Sequence, residues 1–272
     1  YDYALKLDLG DVVSLDKIEA AKYYKMAAEN GNKDAIYSLG YIFDNGEGVE
    51  ENKEEAIKYY KMAIDNGNAK AMFRYGYMLS HGIGVTENKR EAIKYYKMAI
   101  DKGSSDAMFN YASILSDDDS DEVNKRESIK YYKMAIDKGN TNAMYNYGYM
   151  LFYGDGIEPN KDEAIKYYKM AIDKGNSNAM CGYAYMLCYG DGVDVNKEEA
   201  IKYYKMAIDE GNSDAMLNYA SMLSNGDGVD VNKEEAVKYY KMAIDEGNSN
   251  AMYIYASMLS NGDGVDVNKE EA

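Results

Sequence analysis

The pentapeptide Tyr-Tyr-Lys-Met-Ala recurs at a constant step along this chain of 272 residues. Each copy begins 36 residues after the one before, with first tyrosines at Tyr23, Tyr59, Tyr95, Tyr131, Tyr167, Tyr203 and Tyr239. A fixed period of this length is typical of a solenoid, because each unit buries its apolar side only against its neighbours. We therefore expect an array of small repeated units rather than one globular core.

Each unit carries the sequence signals of an amphipathic helix, which we call helix B. In residues 52–88, the apolar positions at helical spacing are Ala56, Ile57, Tyr60, Ala63 and Ile64. Asn52 and Glu55 precede them in the spacing of a capping box, and Gly67 follows as the expected left-handed C-terminal residue. The same Asn/Glu pair recurs in later repeats, including Asn124/Glu127 and Asn268/Glu271.

A second helix, helix A, is predicted from about Asn68 to His81. Its buried stripe is expected to contain Met72, Tyr75, Gly76 and Leu79. Position 76 and its equivalents hold only glycine or alanine, which predicts a close approach of two helix backbones there. The turn that follows, Gly82-Ile83-Gly84-Val85, gives the backbone freedom to reverse before the next helix B.

Net charge, the length of apolar runs and cysteine spacing limit the partners and the compartment that we expect. The net charge of -16 argues against nucleic acid and anionic membranes, which bind basic faces. No stretch approaches the roughly 18 apolar residues of a membrane span. Cys181 and Cys188 are seven residues apart on one predicted helix, about 10 Å along its axis and too far for a disulfide. We therefore expect a cytoplasmic protein without a membrane segment.

The sequence contains no recognisable catalytic or metal-binding pattern. His81 is the only histidine, which removes catalytic triads and histidine metal sites. The segment 191–196 is acidic but does not have the ligand spacing of an EF-hand loop. The Gly-x-Gly turns lack the strand and third glycine of a phosphate-binding loop. We expect no enzyme activity, no cofactor and no metal.

The repeated residues resemble those of the Sel-1-like repeat, a relative of the tetratricopeptide repeat (TPR). The resemblance covers essentially the whole chain and is carried by Ala71, Tyr75-Gly76, Leu79, Gly82-x-Gly84-Val85, Lys89, Ala92, Tyr95-Tyr96-Lys97, Ala99, Gly103 and Ala107. It implies an all-α fold, a right-handed α-α superhelix of antiparallel helix pairs. Residues 1–272 would form a single solenoid with an incomplete repeat at each end, a window from a longer protein.

The resemblance also implies a class of function, since members of this family commonly act as adaptors that assemble other proteins. In the tetratricopeptide arrangement, the variable side of helix A lines a concave groove. Our candidate partner-binding residues on this face are Lys70, Phe73, Arg74, Tyr77, Asn110, Tyr145, Asn146, Tyr149, Tyr153, Tyr185, Tyr189 and Asn218. Tyrosine gives large contact area at low entropic cost, and asparagine pairs with peptide backbone. The expected partner is a protein or an extended peptide segment.

Residues on this face of helix A are expected to differ in their roles. Lys70 and Arg74 are the basic pair of this face and would hold a carboxylate of the partner. Tyr145, Tyr149 and Tyr185 would be dispensable for folding, because they lie opposite the packed stripe of helix A.

Alternatives to the adaptor hypothesis remain open at this level. The chain could be a passive structural spacer or a rod that self-associates through its ends. It could also be the regulatory repeat region of a larger protein whose catalytic domain, such as a kinase, is not in this sequence. The acidic segment 116–122, which replaces the glycine turn of one repeat, is a docking element, a bend in the superhelix, or simple drift of an exposed turn.

Overall fold

A computed structural model describes residues 1–9, 16–117, 122–262 and 264, and these residues form fifteen α-helices and no β-strand. The chain divides into two compact units, Tyr1–Asn140 and Thr141–Ala272. The first contains α1 (Asp2–Leu9), α2 (Lys17–Glu29), α3 (Lys33–Asn45), α4 (Lys53–Asp65), α5 (Ala69–His81), α6 (Lys89–Asp101), α7 (Ser105–Ser116) and α8 (Glu122–Asp137). The second contains α9 (Thr141–Tyr153), α10 (Lys161–Ile172), α11 (Ser177–Tyr189), α12 (Lys197–Asp209), α13 (Ser213–Asn225), α14 (Lys233–Asp245) and α15 (Ser249–Asn261).

The predicted alternation of helices A and B is confirmed within each unit. Odd-numbered helices are helix A and even-numbered helices are helix B, and each packs against its neighbours along the chain in the same unit. In the first unit the successive A helices α3, α5 and α7 also touch one another. This is the layered arrangement that lets one repeat cover the apolar side of the next.

Asparagine caps determine where most of the helices begin. The Asn52 side chain accepts a hydrogen bond from the Glu55 backbone N–H at 3.0 Å, and Asn68 does the same for Ala71 at 2.9 Å. The predicted cap at Asn124 is wrong, because α8 already begins at Glu122. That repeat lacks the glycine turn, and the acidic Glu122 suits the positive end of the helix dipole. Most of the acidic segment (118–121) and the predicted cap at Asn268/Glu271 lie outside the described residues.

The second tyrosine of each helix B is the centre of the core. Tyr60, Tyr96, Tyr132 and Tyr204 are almost fully buried, as are the helix A residues of the predicted stripe. A Cβ placed on Gly76 would lie only 2.9 Å from the Tyr96 ring. The small residue is therefore needed to admit a tyrosine ring, rather than mainly to bring two backbones together.

The turns after helix A have the left-handed geometry that their glycines predict. Gly82 and Gly84 have φ values of +67° and +66°. A Cβ on Gly84 would lie 2.5 Å from the Cβ of Lys53, so this position also allows the turn to touch the preceding helix B. In the second unit the first lysine of helix B pairs with the acid of the next turn, as Lys197 does with Asp227.

Two groups of helix B side chains lie outside the core. Met26, Met62, Met98 and Met206 are exposed. Lys61 places its Nζ 5.1 Å from the centre of the Tyr75 ring, and Lys97 and Lys205 make the same contact with Tyr111 and Tyr219. These cation–π contacts join α4 to α5, α6 to α7 and α12 to α13.

Candidate functional site

In the first unit, the candidate binding residues of α5 already have partners within the chain. Phe73, Arg74 and Tyr77 are half-buried, and Lys70 is exposed. The Tyr77 ring stacks on His81 with 4.0 Å between ring centres. The four residues share one face of α5, as the sequence predicts.

Arg74 lies over an aromatic surface of the preceding repeat. Its guanidinium carbon is 5.3 Å from the centre of the Tyr41 ring. Burial opposes the charge of Arg74, but the combined effects of Tyr37, Tyr60 and Asp44 outweigh burial and raise the pKa of the guanidinium. The guanidinium is thus held by tyrosines of its own chain, which leaves less of it for a carboxylate of a partner than we expected.

In the second unit, four tyrosines form an exposed aromatic surface on α9 and α11. Their exposed fractions are 45% for Tyr149, 57% for Tyr153, 42% for Tyr185 and 64% for Tyr189. The Tyr149 and Tyr153 rings contact each other at a tilt of 47°, with 4.4 Å between ring centres, and Tyr185 and Tyr189 do so at 48° and 4.6 Å. Tyr149 and Tyr185 each raise the pKa of Tyr153, after the larger effect of its partial burial. We call these four residues the tyrosine surface.

Tyr145 differs from the four and from our expectation. It is half-buried, and its ring stacks on the buried Tyr168 ring with 5.8 Å between centres and 27° between planes. Burial, with smaller contributions from Cys181, Tyr149 and Asp214, raises the pKa of Tyr145 to about 12. Tyr145 therefore lies beneath the tyrosine surface, and its contact with Tyr168 contributes to the packing of α9 against α10.

The three candidate asparagines are spread over the two units. Asn110, in the first unit, is half-buried and donates to the backbone carbonyl of Asp106 on its own helix at 2.9 Å. Asn146 and Asn218 are half-buried in the second unit, and Asn218 Nδ2 lies 3.8 Å from the Cys181 Sγ. Asn218 shows that this position of helix A reaches back toward the preceding repeat.

Sequence reasoning missed three residues that shape the floor of the site: Phe152, Tyr168 and Gly182. Tyr168 is 3% exposed, and among the described residues its hydroxyl has no hydrogen-bond partner. The equivalent hydroxyls of Tyr60 and Tyr96 bind Asp44 and Ser80. Phe152 stands at that position in this repeat. A comparison of the repeats at position 44 and its equivalents would have shown the lost partner.

The repeat pattern identifies the family of the chain. A model of the Sel1 repeat matches it in eight consecutive segments, residues 1–32, 33–68, 69–104, 105–140, 141–176, 177–212, 213–248 and 249–272. The chain belongs to the Sel1 repeat family. This confirms the resemblance and the all-α, TPR-like solenoid class. Sel1 repeat proteins are generally protein-interaction scaffolds, and the fold is typically non-catalytic.

Solved structures of Sel1 repeat proteins have the same fold. A protective antigen with an SLR fold from uropathogenic Escherichia coli strains is 26% identical over all of this chain, with a TM-score of 0.71. This chain spans 58% of that protein. A Sel1 repeat protein from Oxalobacter formigenes is 26% identical over 89% of this chain and 95% of its own, with a TM-score of 0.79. An immunity protein from Pseudomonas aeruginosa, 18% identical over 86% of this chain and 84% of its own, has a TM-score of 0.55. Among curated proteins none matches.

The described residues show few features of a metal site, a reactive thiol or a membrane span. No group of three or more histidine, cysteine or acidic side chains among them is placed to hold a metal ion. Cys181 and Cys188 are buried thiols on α11, and burial raises the pKa of Cys181 to about 12, far from the range of a reactive thiolate. None of the described helices combines the length and apolar character needed to cross a bilayer.

Proposed function

We propose that the chain is a non-enzymatic scaffold, a single solenoid over residues 1–272, that binds an extended segment of a partner protein. The variable face of helix A is the proposed binding face, and the tyrosine surface is its main contact. Nucleic acid and membranes are not partners in this proposal, because the chain carries a net charge of -16. The proposed compartment is the cytoplasm.

One observation carries this proposal. Four tyrosines on two successive A helices of one unit are exposed and contact each other in tilted pairs, whereas the second tyrosines of helix B are buried. Exposed aromatic groups of this density are typical of protein-binding surfaces, where a few rings supply most of the binding energy.

Selection from a library of random 12-residue peptides tests the proposal with the full chain as bait. A variant with serine at Tyr149, Tyr153, Tyr185 and Tyr189 should lose at least about tenfold in retention of the selected peptides, since interface aromatics commonly contribute 2 kcal/mol or more. Tyr253→Ser is the matched control, because Tyr253 is an exposed tyrosine of the same unit outside the tyrosine surface. Equal retention by all three proteins would overturn the proposal and favour the spacer alternative.

A further inference from the structure

The site around Arg74 in the first unit has a counterpart in the second unit, three repeats or 108 residues later. Tyr37, Tyr41, Tyr60 and Arg74 correspond to Tyr145, Tyr149, Tyr168 and Gly182. The three tyrosines are kept, and the arginine is replaced by glycine. We call Tyr145, Tyr149, Tyr168 and Gly182 the niche.

The two sites have the same local geometry. The Tyr37 and Tyr60 ring centres are 6.0 Å apart, and those of Tyr145 and Tyr168 are 5.8 Å apart. The small residues beneath the buried tyrosines also correspond, since a Cβ on Gly40 would meet the Tyr60 ring at 2.6 Å and one on Gly148 the Tyr168 ring at 3.0 Å. The tyrosine frame that surrounds Arg74 is therefore present around Gly182.

The second site lacks the side chain over the frame, and Phe152 stands where the first site has Asp44. A Cβ on Gly182 would lie 3.6 Å from the Tyr168 Cζ and 3.7 Å from the Tyr145 Cε2, both ordinary contact distances. Glycine is therefore not needed there to relieve a clash, and its backbone does not have a positive φ. Gly182 therefore has no side chain to lie over Tyr149 as Arg74 lies over Tyr41.

The floor of the niche contains an unused polar group. The Tyr168 hydroxyl has no hydrogen-bond partner among the described residues. Every fully buried side-chain oxygen or nitrogen of the described residues has such a partner, so the Tyr168 oxygen must still reach solvent. The Tyr168 ring stacks on the Tyr145 ring with 5.8 Å between centres, and burial raises the pKa of Tyr168, with smaller contributions from Tyr145, Tyr153 and Tyr149. A hydroxyl without a partner in the chain is free to accept a hydrogen bond from a ligand.

The charge around the niche suits a cation. Asp214 is close enough to contribute to the raised pKa of Tyr145, and its carboxylate accepts from the neutral Asn248 side chain at 2.9 Å. Asp191 acts on Tyr153 in the same way, although Lys161 pairs with it. The tyrosine faces add their own attraction for a cation.

We propose that the niche binds the guanidinium group of an arginine on the partner protein, in the place that Arg74 fills in the first unit. The group lies flat over the Tyr149 ring and donates hydrogen bonds to the Tyr145 and Tyr168 hydroxyls. Arginine fits better than lysine, because its planar group stacks on a ring and donates in several directions at once. This inference rests on the proposed protein-binding function and names the chemistry that its surface recognises.

Three matched sets of the selected 12-residue peptides test the inference, with the central residue arginine, citrulline or lysine. Citrulline keeps the shape of arginine and removes the charge. We expect the full chain to bind the arginine set about tenfold more tightly than the citrulline set, equivalent to about 1.4 kcal/mol, with the lysine set between them. Equal affinity for the arginine and citrulline sets would overturn the inference.

Two variants test whether the preference for arginine peptides depends on the niche. Gly182→Arg should remove the preference, because its own guanidinium occupies the niche, and a crystal structure should show that group within about 6 Å of the Tyr149 ring centre. Met206→Arg adds the same charge on an exposed position of α12 and should keep the preference. A preference that survives in Gly182→Arg would contradict the niche.

The two proposals fail in different ways. If peptides bind through the tyrosine surface without regard to arginine, the niche inference is wrong and the scaffold function stands. If the variant with four serines retains all peptides, the scaffold function itself is wrong.

Discussion

Arg74 and Gly182 occupy the same position in two repeats of one chain, but the tyrosines around them differ in exposure to solvent. In the first unit the arginine covers Tyr41, and Asp44 accepts from the buried Tyr60 hydroxyl at 3.0 Å. In the second unit Phe152 stands in place of the aspartate, Gly182 stands in place of the arginine, and Tyr149, the equivalent of Tyr41, is exposed.

The difference shows how a solenoid can expose an aromatic surface without changing its fold. The buried tyrosine and the small residue beneath it persist in both sites, so the repeats still pack. The second site has neither the arginine nor the aspartate, so the Tyr149 ring is exposed and the Tyr168 hydroxyl has no partner among the described residues. The repeat thus supplies the tyrosines, and different residues at two positions leave them uncovered.

The largest expected effect separates buried from exposed tyrosines on the same helix. Tyr147→Ala should destabilise the second unit by about 3–5 kcal/mol, because Tyr147 is almost fully buried and packs edge-on against Tyr167. Tyr149→Ala, two residues away, should change stability by only about 0.5 kcal/mol. Urea denaturation followed by circular dichroism measures both. A similar loss in both variants would mean that the exposed faces of α9 are misassigned.

The next comparison concerns the buried hydroxyls. Tyr96→Phe should cost about 1 kcal/mol, because the Tyr96 hydroxyl shares a 2.9 Å hydrogen bond with Ser80. Tyr168→Phe should be close to neutral, since that hydroxyl has no partner among the described residues. The same denaturation experiment compares them, and a larger loss in Tyr168→Phe would show that its hydroxyl is already satisfied within the chain.

The sequence predicted the repeated elements well and the site only in part. Caps, glycine turns and the apolar stripe depend on neighbouring residues, so Asn52, Gly67 and Tyr60 could be assigned from spacing alone. The partial burial of Tyr145 could not be predicted in this way, because it depends on a ring in the following helix B. The absence of a partner for Tyr168 required knowing which residue of helix A reaches its hydroxyl.

A smaller effect is expected when the first site is made to resemble the second. Arg74→Ala should destabilise the first unit by about 0.5–1 kcal/mol, since it removes a half-buried cation from the Tyr41 ring. Lys70→Ala is the matched control and should be nearly silent, because Lys70 is exposed and its Nζ lies 6.0 Å from the Tyr37 ring centre. Thermal melts of the two variants measure the difference. Equal melting temperatures would show that Arg74 contributes nothing to the fold.

The smallest effect at neutral pH concerns Cys181, which stands where the first unit has Phe73. Burial, and then Asp214, raise the pKa of its thiol to about 12. The contribution of this thiol to stability is therefore complete below about pH 9 and is lost as the pH rises toward 12, because the unfolded chain ionises first. In the folded Cys188→Ser variant at pH 8, Cys181 should react with iodoacetamide at least about a hundredfold more slowly than in urea, as thiolate is the reactive form. Mass spectrometry of timed samples gives both rates. Rapid alkylation of the folded variant would mean that Cys181 is open to solvent and that the floor of the second site is less closely packed than the structure shows.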